Sequence, residues 1–405
     1  MKQTDFSIDS PGKLVPVELA EYLDGPLGEP TRTKTVAFVP DPLPPDLDWR
    51  AIRDTHFDLY AETLLALGKV NGLHKRVGNA SGMLRTLWMR EAKLSSEVEN
   101  IHTTAEELVL AGAGRTLDVG DSSLESWNYV RALEHGIHSP LPWSVRVIRE
   151  MHEILMQSVR GREFRPGKFR DRGVYLSGPG QGVRNARFVP MPAGDGLLDA
   201  LHSLEKFVNT PHDLIPPLFA VALTHYQFET IHPFSDGNGR IGRVLISRSL
   251  VKEGLLEHPV VYMSAYVNAH KRMYADLLLR ISQEGGQAWS DWIGFFLDAI
   301  RTQALDAISR SEALVDLQMK FTSQLKESKA PPRLLGVVDN LFARPAINVA
   351  DLVTQTGTTP VTAGKDMERL EKLGIIREYT GRQRERDWLA QDIVDIITKK
   401  APSDG

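Results

Sequence analysis

Residues 232–243 read HPFSDGNGRIGR and combine residue types suited to holding a polyphosphate. A helix is predicted to begin after Gly239, so the DGNG backbone lies at a helix N-terminus, where N–H groups point outward and anions bind. Two glycines flank Asn238 and let the backbone approach phosphate oxygens closely. Arg240 and Arg243 can add charge-assisted contacts. The stretch therefore predicts a polyphosphate-binding loop.

Three other side chains of this loop have predicted roles. Asp236 lies beside the predicted phosphate-binding backbone, and Mg²⁺ is normally held by one or two carboxylates together with substrate phosphates. His232 has an ordinary pKa of roughly 6.5, so its ring is mostly neutral near pH 7 and can take a proton from an attacking hydroxyl. Phe234 is predicted to anchor the loop in the core. The pattern indicates nucleotidyl or phosphoryl transfer.

The stretch resembles the signature of the Fic (Fido) family, HPFx[D/E]GNGRxxR, at every position. The resemblance implies a mainly α-helical catalytic domain with a small β-hairpin flap. It also implies transfer of AMP from ATP, with Mg²⁺, to a Ser, Thr or Tyr hydroxyl of a target protein and of the chain itself. Family members that phosphorylate depart from the pattern at the second glycine of the loop. Gly239 is kept here, which favours adenylylation over phosphorylation.

The resemblance also assigns roles to single residues. His232 would be the base and Asp236 the Mg²⁺ ligand, and Arg240 would contact the triphosphate. Thr230 would border the nucleotide, and Tyr274 and Leu277 would pack on the adenine, although core packing is an equally good interpretation of these two. The implied nucleotide-binding set is Glu99, Thr230, Ser235, Asp236, Gly237, Asn238, Gly239, Arg240, Ile241, Arg243, Tyr274 and Leu277.

An upstream hexapeptide, SSEVEN at residues 95–100, lies on a helix predicted over Leu84–Leu110. Alone it is typical of an acidic exposed helix face. Beside the loop, it resembles the family's inhibitory pattern [S/T]xxxE[G/N], with Ser95, Glu99 and Asn100 in register. Glu99 could form a bidentate pair with Arg243 and withdraw that guanidinium from the γ-phosphate. We therefore predict an autoinhibited enzyme, in which Glu99 could also orient a water for the reverse deAMPylation.

The chain has 405 residues, no cysteine and a formal net charge of −4. The absence of cysteine excludes disulfides and thiolate metal sites. The charge gives no general attraction to nucleic acid. The N-terminus lacks a signal pattern and the apolar runs are too short to span a membrane, so we expect a cytoplasmic protein without membrane contacts.

Composition and periodicity divide the chain into five parts. We predict an N-terminal arm at 1–48, where eight of the 24 prolines lie, and a helical region at 49–135 carrying the inhibitory motif. The catalytic domain follows at 136–300, a connecting helix or linker at 301–330, and a winged helix-turn-helix at 331–405. Glycines and short apolar pieces predict a flap at about 173–188, where a target protein would add a strand.

The C-terminal module has two alternative roles. As a DNA-binding unit it would insert residues 358–373 into the major groove and contact phosphates through Arg382, Arg384 and Arg386. However, residues 331–405 contain eleven Lys or Arg and eleven Asp or Glu. A neutral module is poorly suited to attract DNA, so protein docking or homodimerisation is favoured.

Three functions compete at this stage. The first is an autoinhibited AMP transferase, which intact catalytic residues favour. The second is a transcriptional regulator in which the C-terminal module binds an operator and the helical domain senses a nucleotide. The third is a kinase or another nucleotide-dependent transferase on the same scaffold.

Overall fold

The structure is a computed structural model that describes residues 3–21, 31–74, 80–157, 165–177 and 182–398. It begins with a β-hairpin of β1 (Gly12–Glu21) and β2 (Thr31–Pro40), paired antiparallel along their whole length. Sequence reasoning missed these strands and predicted an arm, because prolines such as Pro16 interrupt the expected pattern. Proline is tolerated on edge strands, and both strands of a two-stranded sheet are edges.

Helices form most of the chain from residue 49 to residue 327, in agreement with the predicted mainly α fold. The first group is α1 (Trp49–Thr55), α2 (Phe57–His74), α3 (Ala80–Val98), α4 (Ala105–Gly112), α5 (Asp121–His138) and α6 (Val145–Leu155). Short strands β3 (Leu176–Ser177) and β4 (Ala186–Phe188) pair after it. The second group is α7 (Asp195–Asn209), α8 (Pro217–Ile231), α9 (Asn238–Lys252), α10 (Ser264–Ala269), α11 (Lys271–Glu284) and α12 (Gln287–Glu327).

Helix α8 runs through the centre of the core and is buried on nearly all sides. Apolar residues occur on all sides of α8, as expected for a helix enclosed by other helices. Trp292 of α12 donates its indole N–H to the carbonyl of Ala222 at 3.0 Å, and Tyr226 meets Trp289 edge to face. These contacts fix the position of α8, and therefore also the position of the loop that begins at its C-terminal end.

The helix predicted over Leu84–Leu110 is wrong in one respect, because it is broken between α3 and α4. Asn100 adopts a left-handed backbone with φ of 61°. The N–H of Ile101 then bonds to the carbonyl of Ser96 at 3.0 Å, and the Thr104 hydroxyl caps α4. Helix ends of this kind favour Gly or Asn in the left-handed position. Glu99 therefore follows the last residue of α3 instead of lying within a helix.

The remaining elements follow a break after residue 327. They are α13 (Arg333–Leu341), β5 (Ala346–Ile347), α14 (Val349–Thr356), α15 (Pro360–Lys372), β6 (Arg377–Glu378), β7 (Trp388–Leu389) and α16 (Gln391–Thr398), with a sheet in the order β5-β7-β6. A left-handed Gly357 joins α14 to α15. The assignment of this module as a winged helix-turn-helix stays a prediction.

The C-terminal module packs directly against the helical region that holds the inhibitory motif. The Arg115 guanidinium, just after α4, pairs with Asp387 at 2.8 Å and also with Asp351. Met83 of α3 lies in the module's hydrophobic core, and the Thr86 hydroxyl donates to the carbonyl of Phe342. The module thus supports α3 on the side of these residues. Within the described ranges, no helix combines the length and apolar character needed to cross a bilayer.

Candidate functional site

The loop starts where α8 ends, at His232. This residue has left-handed backbone angles, φ 51° and ψ 62°, and turns the chain out of the helix. Its Nδ1 lies 3.2 Å from the carbonyl of Glu229. A carbonyl only accepts hydrogen bonds, so Nδ1 carries the proton and Nε2 keeps the lone pair. Burial lowers the pKa of His232 to about 4, which keeps the ring neutral at pH 7.

Asn238 closes the loop by pairing with the backbone of Phe234 in both directions. Its Oδ1 accepts from the Phe234 N–H and its Nδ2 donates to the Phe234 carbonyl, both at 2.9 Å. The Phe234 ring is completely buried, as predicted for an anchor. Asn238 is therefore occupied in shaping the loop through its side chain.

His152 of α6 also holds this loop in place. Sequence reasoning missed this residue. Its ring stacks on Phe234 with centroids 3.7 Å apart. The Gly167 N–H donates to Nδ1 at 3.0 Å, so Nε2 is protonated and donates to the Asp236 carbonyl at 3.1 Å. Burial lowers the pKa of His152 to about 4, so this neutral form persists. No local pattern marks His152, because its partners are distant in sequence.

Helix α9 begins at Asn238 directly after the left-handed Gly237, whose φ is 78°. Among the described residues no side chain caps the first N–H groups, which leaves them available to an anion. A Cβ atom at Gly239 would lie 2.5 Å from Glu99 Oε1 and 3.1 Å from Arg243 Nη1. Glycine at this position thus leaves room for groups that approach the helix N-terminus.

Arg240 points into the protein. Its side chain is 1% exposed, and Nη1 donates to Glu125 Oε1 of α5 at 2.6 Å. Its Nη2 is 3.7 Å from Asp236 Oδ2. The guanidinium therefore ties the start of α9 to α5, and its contact with a triphosphate stays a prediction.

Arg243 is buried and held by the inhibitory motif through three hydrogen bonds. Nη2 donates to Glu99 Oε1 at 2.8 Å and to the Ser95 carbonyl at 3.0 Å, while Nε donates to Ser95 Oγ at 2.8 Å. The predicted bidentate pair with Glu99 is therefore wrong. A single hydrogen bond, from Nη2, joins the guanidinium to the carboxylate, and Nη2 is shared with the Ser95 carbonyl.

The Glu99 carboxylate is charged and partly open to solvent. Burial raises its pKa, but the positive charge of Arg243 offsets this and holds the pKa below its usual range. Its side chain is 37% exposed, against 2% for Arg243. The left-handed Asn100 next to it accepts from Lys271 Nζ at 3.4 Å. The motif thus presents a negative charge near the N-terminal end of α9.

The Asp236 carboxylate lies beside the start of α9 and is partly open to solvent. Its side chain is 42% exposed, and its Oδ1 accepts from the Gly237 N–H at 2.7 Å. No group of three potential ligands occurs among the described residues. One exposed carboxylate beside free N–H groups fits Mg²⁺ only when phosphate oxygens and water complete its coordination shell.

The remaining predicted residues differ in their relation to the loop. The Tyr274 hydroxyl donates to His225 Nε2 at 2.8 Å, and His225 Nδ1 in turn contacts the Gly242 carbonyl at 3.3 Å, so Tyr274 is connected to α9. Thr230 is 4% exposed and interacts with Tyr226 in the core. Ile241 and Leu277 also belong to the hydrophobic core, while Ser235 is half-buried.

Glu229, one turn before His232, is a second residue that sequence reasoning missed. Its Oε1 is buried and has no hydrogen-bond partner among the described residues. Burial raises its pKa to about 8, so the carboxyl is mostly protonated at neutral pH. A Cβ atom at Gly242 would lie 2.1 Å from this oxygen. An acidic residue inside a helix with no other charged carboxylate or amine was the available signal.

The flap region packs on the N-terminal hairpin. Strands β3 and β4 pair with an irregular register, and residues 178–181 of the predicted flap lie outside the described residues. Glu21 Oε1 accepts from the Val183 N–H at 2.7 Å. The Phe38 N–H donates to the Val189 carbonyl at 2.9 Å. The hairpin of β1 and β2 therefore supports the flap from one side.

Known proteins resemble this chain in sequence and in fold. A Fic/DOC family model matches residues 142–250, and a model of the family's N-terminal region matches residues 57–138. A crystal structure of a Fic family protein from Desulfovibrio desulfuricans G20 has a TM-score of 0.50 and 19% identity, covering 82% of this chain and 95% of that chain. At this identity the likeness shows the fold alone.

Two similar curated proteins are both named protein adenylyltransferase Fic. The protein from Drosophila erecta is 28% identical over 149 residues, which is 36% of this chain and 28% of that protein. The protein from Culex quinquefasciatus is 34% identical over 121 residues, which is 29% of this chain and 21% of that protein. The matched stretch is thus less than a third of either relative. This chain carries a Fic/DOC family domain at 142–250, preceded at 57–138 by the N-terminal region of the same family.

Proposed function

We propose that this chain is a protein adenylyltransferase that transfers AMP from ATP to a hydroxyl side chain of a protein, including its own. The observation that carries the proposal is the arrangement of the loop. A neutral His232, whose Nε2 keeps its lone pair, is in the same loop as the carboxylate of Asp236, just before the N–H groups at the start of α9, which no described side chain caps. The names of the similar curated proteins support the same activity.

In the proposed reaction, the hydroxyl oxygen of the target attacks the α-phosphorus of ATP. The bond from that phosphorus to the oxygen bridging the β-phosphorus breaks, and pyrophosphate leaves. His232 Nε2 takes the hydroxyl proton. The N–H groups at the start of α9 hold phosphate oxygens. Asp236 would hold Mg²⁺, which neutralises charge on the phosphates.

We further propose that the enzyme is restrained by Glu99. The carboxylate pairs with Arg243 and places a negative charge where the γ-phosphate would otherwise meet that guanidinium. Removal of this carboxylate should free Arg243 for phosphate. The target protein would dock on the flap at about 173–188. We also propose that the chain forms a homodimer.

Two labelled forms of ATP test the reaction. The Glu99→Gly chain is incubated with Mg²⁺ and ATP labelled at either the α- or the γ-phosphate, and the label retained by the protein is measured. Adenylyl transfer predicts label from the α-phosphate only. Label from the γ-phosphate would indicate a kinase instead, and the absence of label from both would reject the proposal.

A further inference from the structure

A second arginine, Arg170, lies against the backbone of the catalytic loop. It precedes the flap, and it is only 3% exposed. No described carboxylate lies within ion-pair distance of its guanidinium. Burial lowers the pKa of Arg170 to about 10, which still leaves the side chain charged at neutral pH. A buried, unpaired cation is unfavourable unless its N–H groups are satisfied by other acceptors.

The acceptors are four backbone carbonyls. Nε donates to the His232 carbonyl at 2.8 Å, and Nη2 donates to the Ile231 carbonyl at 3.3 Å. Nη2 also donates to the Met191 carbonyl, and Nη1 donates to the Arg172 carbonyl at 3.3 Å. Two of these carbonyls end α8, and the other two lie on either side of the flap.

The contacts at the end of α8 stabilise the backbone of the base. His232 is left-handed, a backbone conformation that is unfavourable for a residue with a side chain. Arg170 bonds to the His232 carbonyl, and its own backbone N–H donates to the Pro233 carbonyl at 3.0 Å. The positive charge also complements the negative end of the helix dipole.

The contacts at Arg172 and Met191 connect the same planar group to both ends of the flap. A guanidinium is rigid, so carbonyls bound to its different N–H groups keep fixed relative positions. The flap is the segment that would hold the target hydroxyl. One side chain therefore sets the position of the base and of the segment that presents the reacting group.

We propose that Arg170 is a positioning residue that holds His232 and both ends of the flap in one frame for adenylyl transfer. This proposal rests on the proposed function. It assigns Arg170 no contact with ATP, because its four acceptors all belong to the backbone of the protein. A misplacement of about 1 Å at a reacting group can reduce a rate about 100-fold.

The test compares Arg170→Lys with the exposed control Arg146→Lys, both in the Glu99→Gly chain. Lysine keeps the charge but is a single point donor that cannot bridge the four carbonyls. We expect kcat for self-adenylylation to fall about 10- to 100-fold in Arg170→Lys. The KM for ATP should stay within about twofold, because this proposal places no ATP contact on Arg170. The control should match the parent in both constants.

Two results would overturn the proposal: an unchanged kcat in a folded Arg170→Lys chain, or a fall in kcat matched by an equal loss of ATP affinity. If Arg170→Lys fails to fold, an NMR measurement on the Glu99→Gly parent tests the proposal instead. In arginine-labelled protein, the Arg170 guanidinium should give separate, slowly exchanging N–H NMR signals, and one averaged, fast-exchanging signal would reject the proposed restraint. If the parent forms no AMP adduct, the proposed function fails, and the NMR result alone decides the role of Arg170.

Discussion

At the scale of single residues, the environment of His232 keeps its ring unprotonated over a wide pH range. Burial lowers its pKa to about 4, and its Nδ1 proton is engaged by the Glu229 carbonyl. The sequence predicts the identity of this base but only an ordinary pKa. The shift depends on packing around the end of α8, which a local motif does not encode.

A pH profile follows from this shift. A base whose pKa is lowered is unprotonated above that pKa and loses activity as the pH falls through it. We therefore expect the self-adenylylation rate of the Glu99→Gly chain to stay level from pH 7 to about pH 5, where an ordinary histidine would already be mostly protonated. Initial rates check this, with circular dichroism at each pH as a folding control. A decline centred near pH 6.5 would contradict the lowered pKa.

Gly242 illustrates a constraint from a neighbouring side chain. Alanine at this position would place Cβ 2.1 Å from Glu229 Oε1, so Gly242→Ala should destabilise the fold by about 1–3 kcal/mol. Denaturant unfolding measures this, and the double variant Gly242→Ala, Glu229→Ala should recover part of the loss. Gly336→Ala, in α13 with open space around it, is the control and should stabilise by about 0.5–1 kcal/mol. Equal stability of Gly242→Ala and the native chain would disprove the clash.

At the scale of elements, the end of α3 decides how the inhibitory motif meets the loop. The sequence predicts the partners Glu99 and Arg243, because their positions match a family pattern. It also predicts a continuous helix and a bidentate pair, and both are wrong. The helix ends before Glu99, and Ser95 occupies the Nε edge of the guanidinium. These details depend on how α3 packs against α9, which the pattern of apolar residues does not reveal.

Ser95→Ala tests this division of the guanidinium. The change removes one hydrogen bond to a charged group, worth about 1.5–3 kcal/mol, and leaves the Ser95 carbonyl and Glu99 in place. We expect self-adenylylation above the native level but below that of Glu99→Gly. The self-adenylylation rates of the native, Ser95→Ala and Glu99→Gly chains are measured and compared. Ser323→Ala, a change at an exposed position of α12, is the control. A Ser95→Ala rate equal to the native rate would show that Glu99 alone restrains Arg243.

The N-terminal hairpin and the contacts of Arg170 could not be predicted from the sequence. Strands β1 and β2 have partly exposed faces and contain Pro16, so they lack a clear alternation. Their partner is the flap, more than 140 residues away in sequence, through contacts such as Glu21 to Val183. Arg170 likewise acts on carbonyls, which every residue type carries. Such long-range contacts leave no signature at either position.

At the scale of the whole molecule, ion pairs connect the C-terminal module to the helical region. Arg115 connects the end of α4 to Asp351 and Asp387 of the module. Asp387 is 3% exposed, so its carboxylate is buried against this partner. Arg382, predicted to contact DNA phosphates, pairs instead with Asp118 in this structure. This part of the module's surface is thus engaged within the chain.

Arg115→Ala should therefore weaken the attachment of the module. Loss of hydrogen bonds to two carboxylates is expected to lower the free energy of unfolding by about 1.5–3 kcal/mol, measured by denaturant titration. Arg382→Ala is the matched control, because its pair with Asp118 is exposed on the arginine side and should matter little. Equal effects of the two substitutions would show that Arg115 contributes no more than an exposed ion pair.

The central claim is that His232 catalyses AMP transfer at a site restrained by Glu99. Intact-mass measurement after incubation with ATP and Mg²⁺ tests it most directly, on the native chain, Glu99→Gly, and Glu99→Gly combined with His232→Ala. The account predicts an AMP-sized adduct that is abundant in Glu99→Gly, scarce in the native chain and absent from the double variant. An adduct that persists without His232, or equal modification of the native chain and Glu99→Gly, would contradict it.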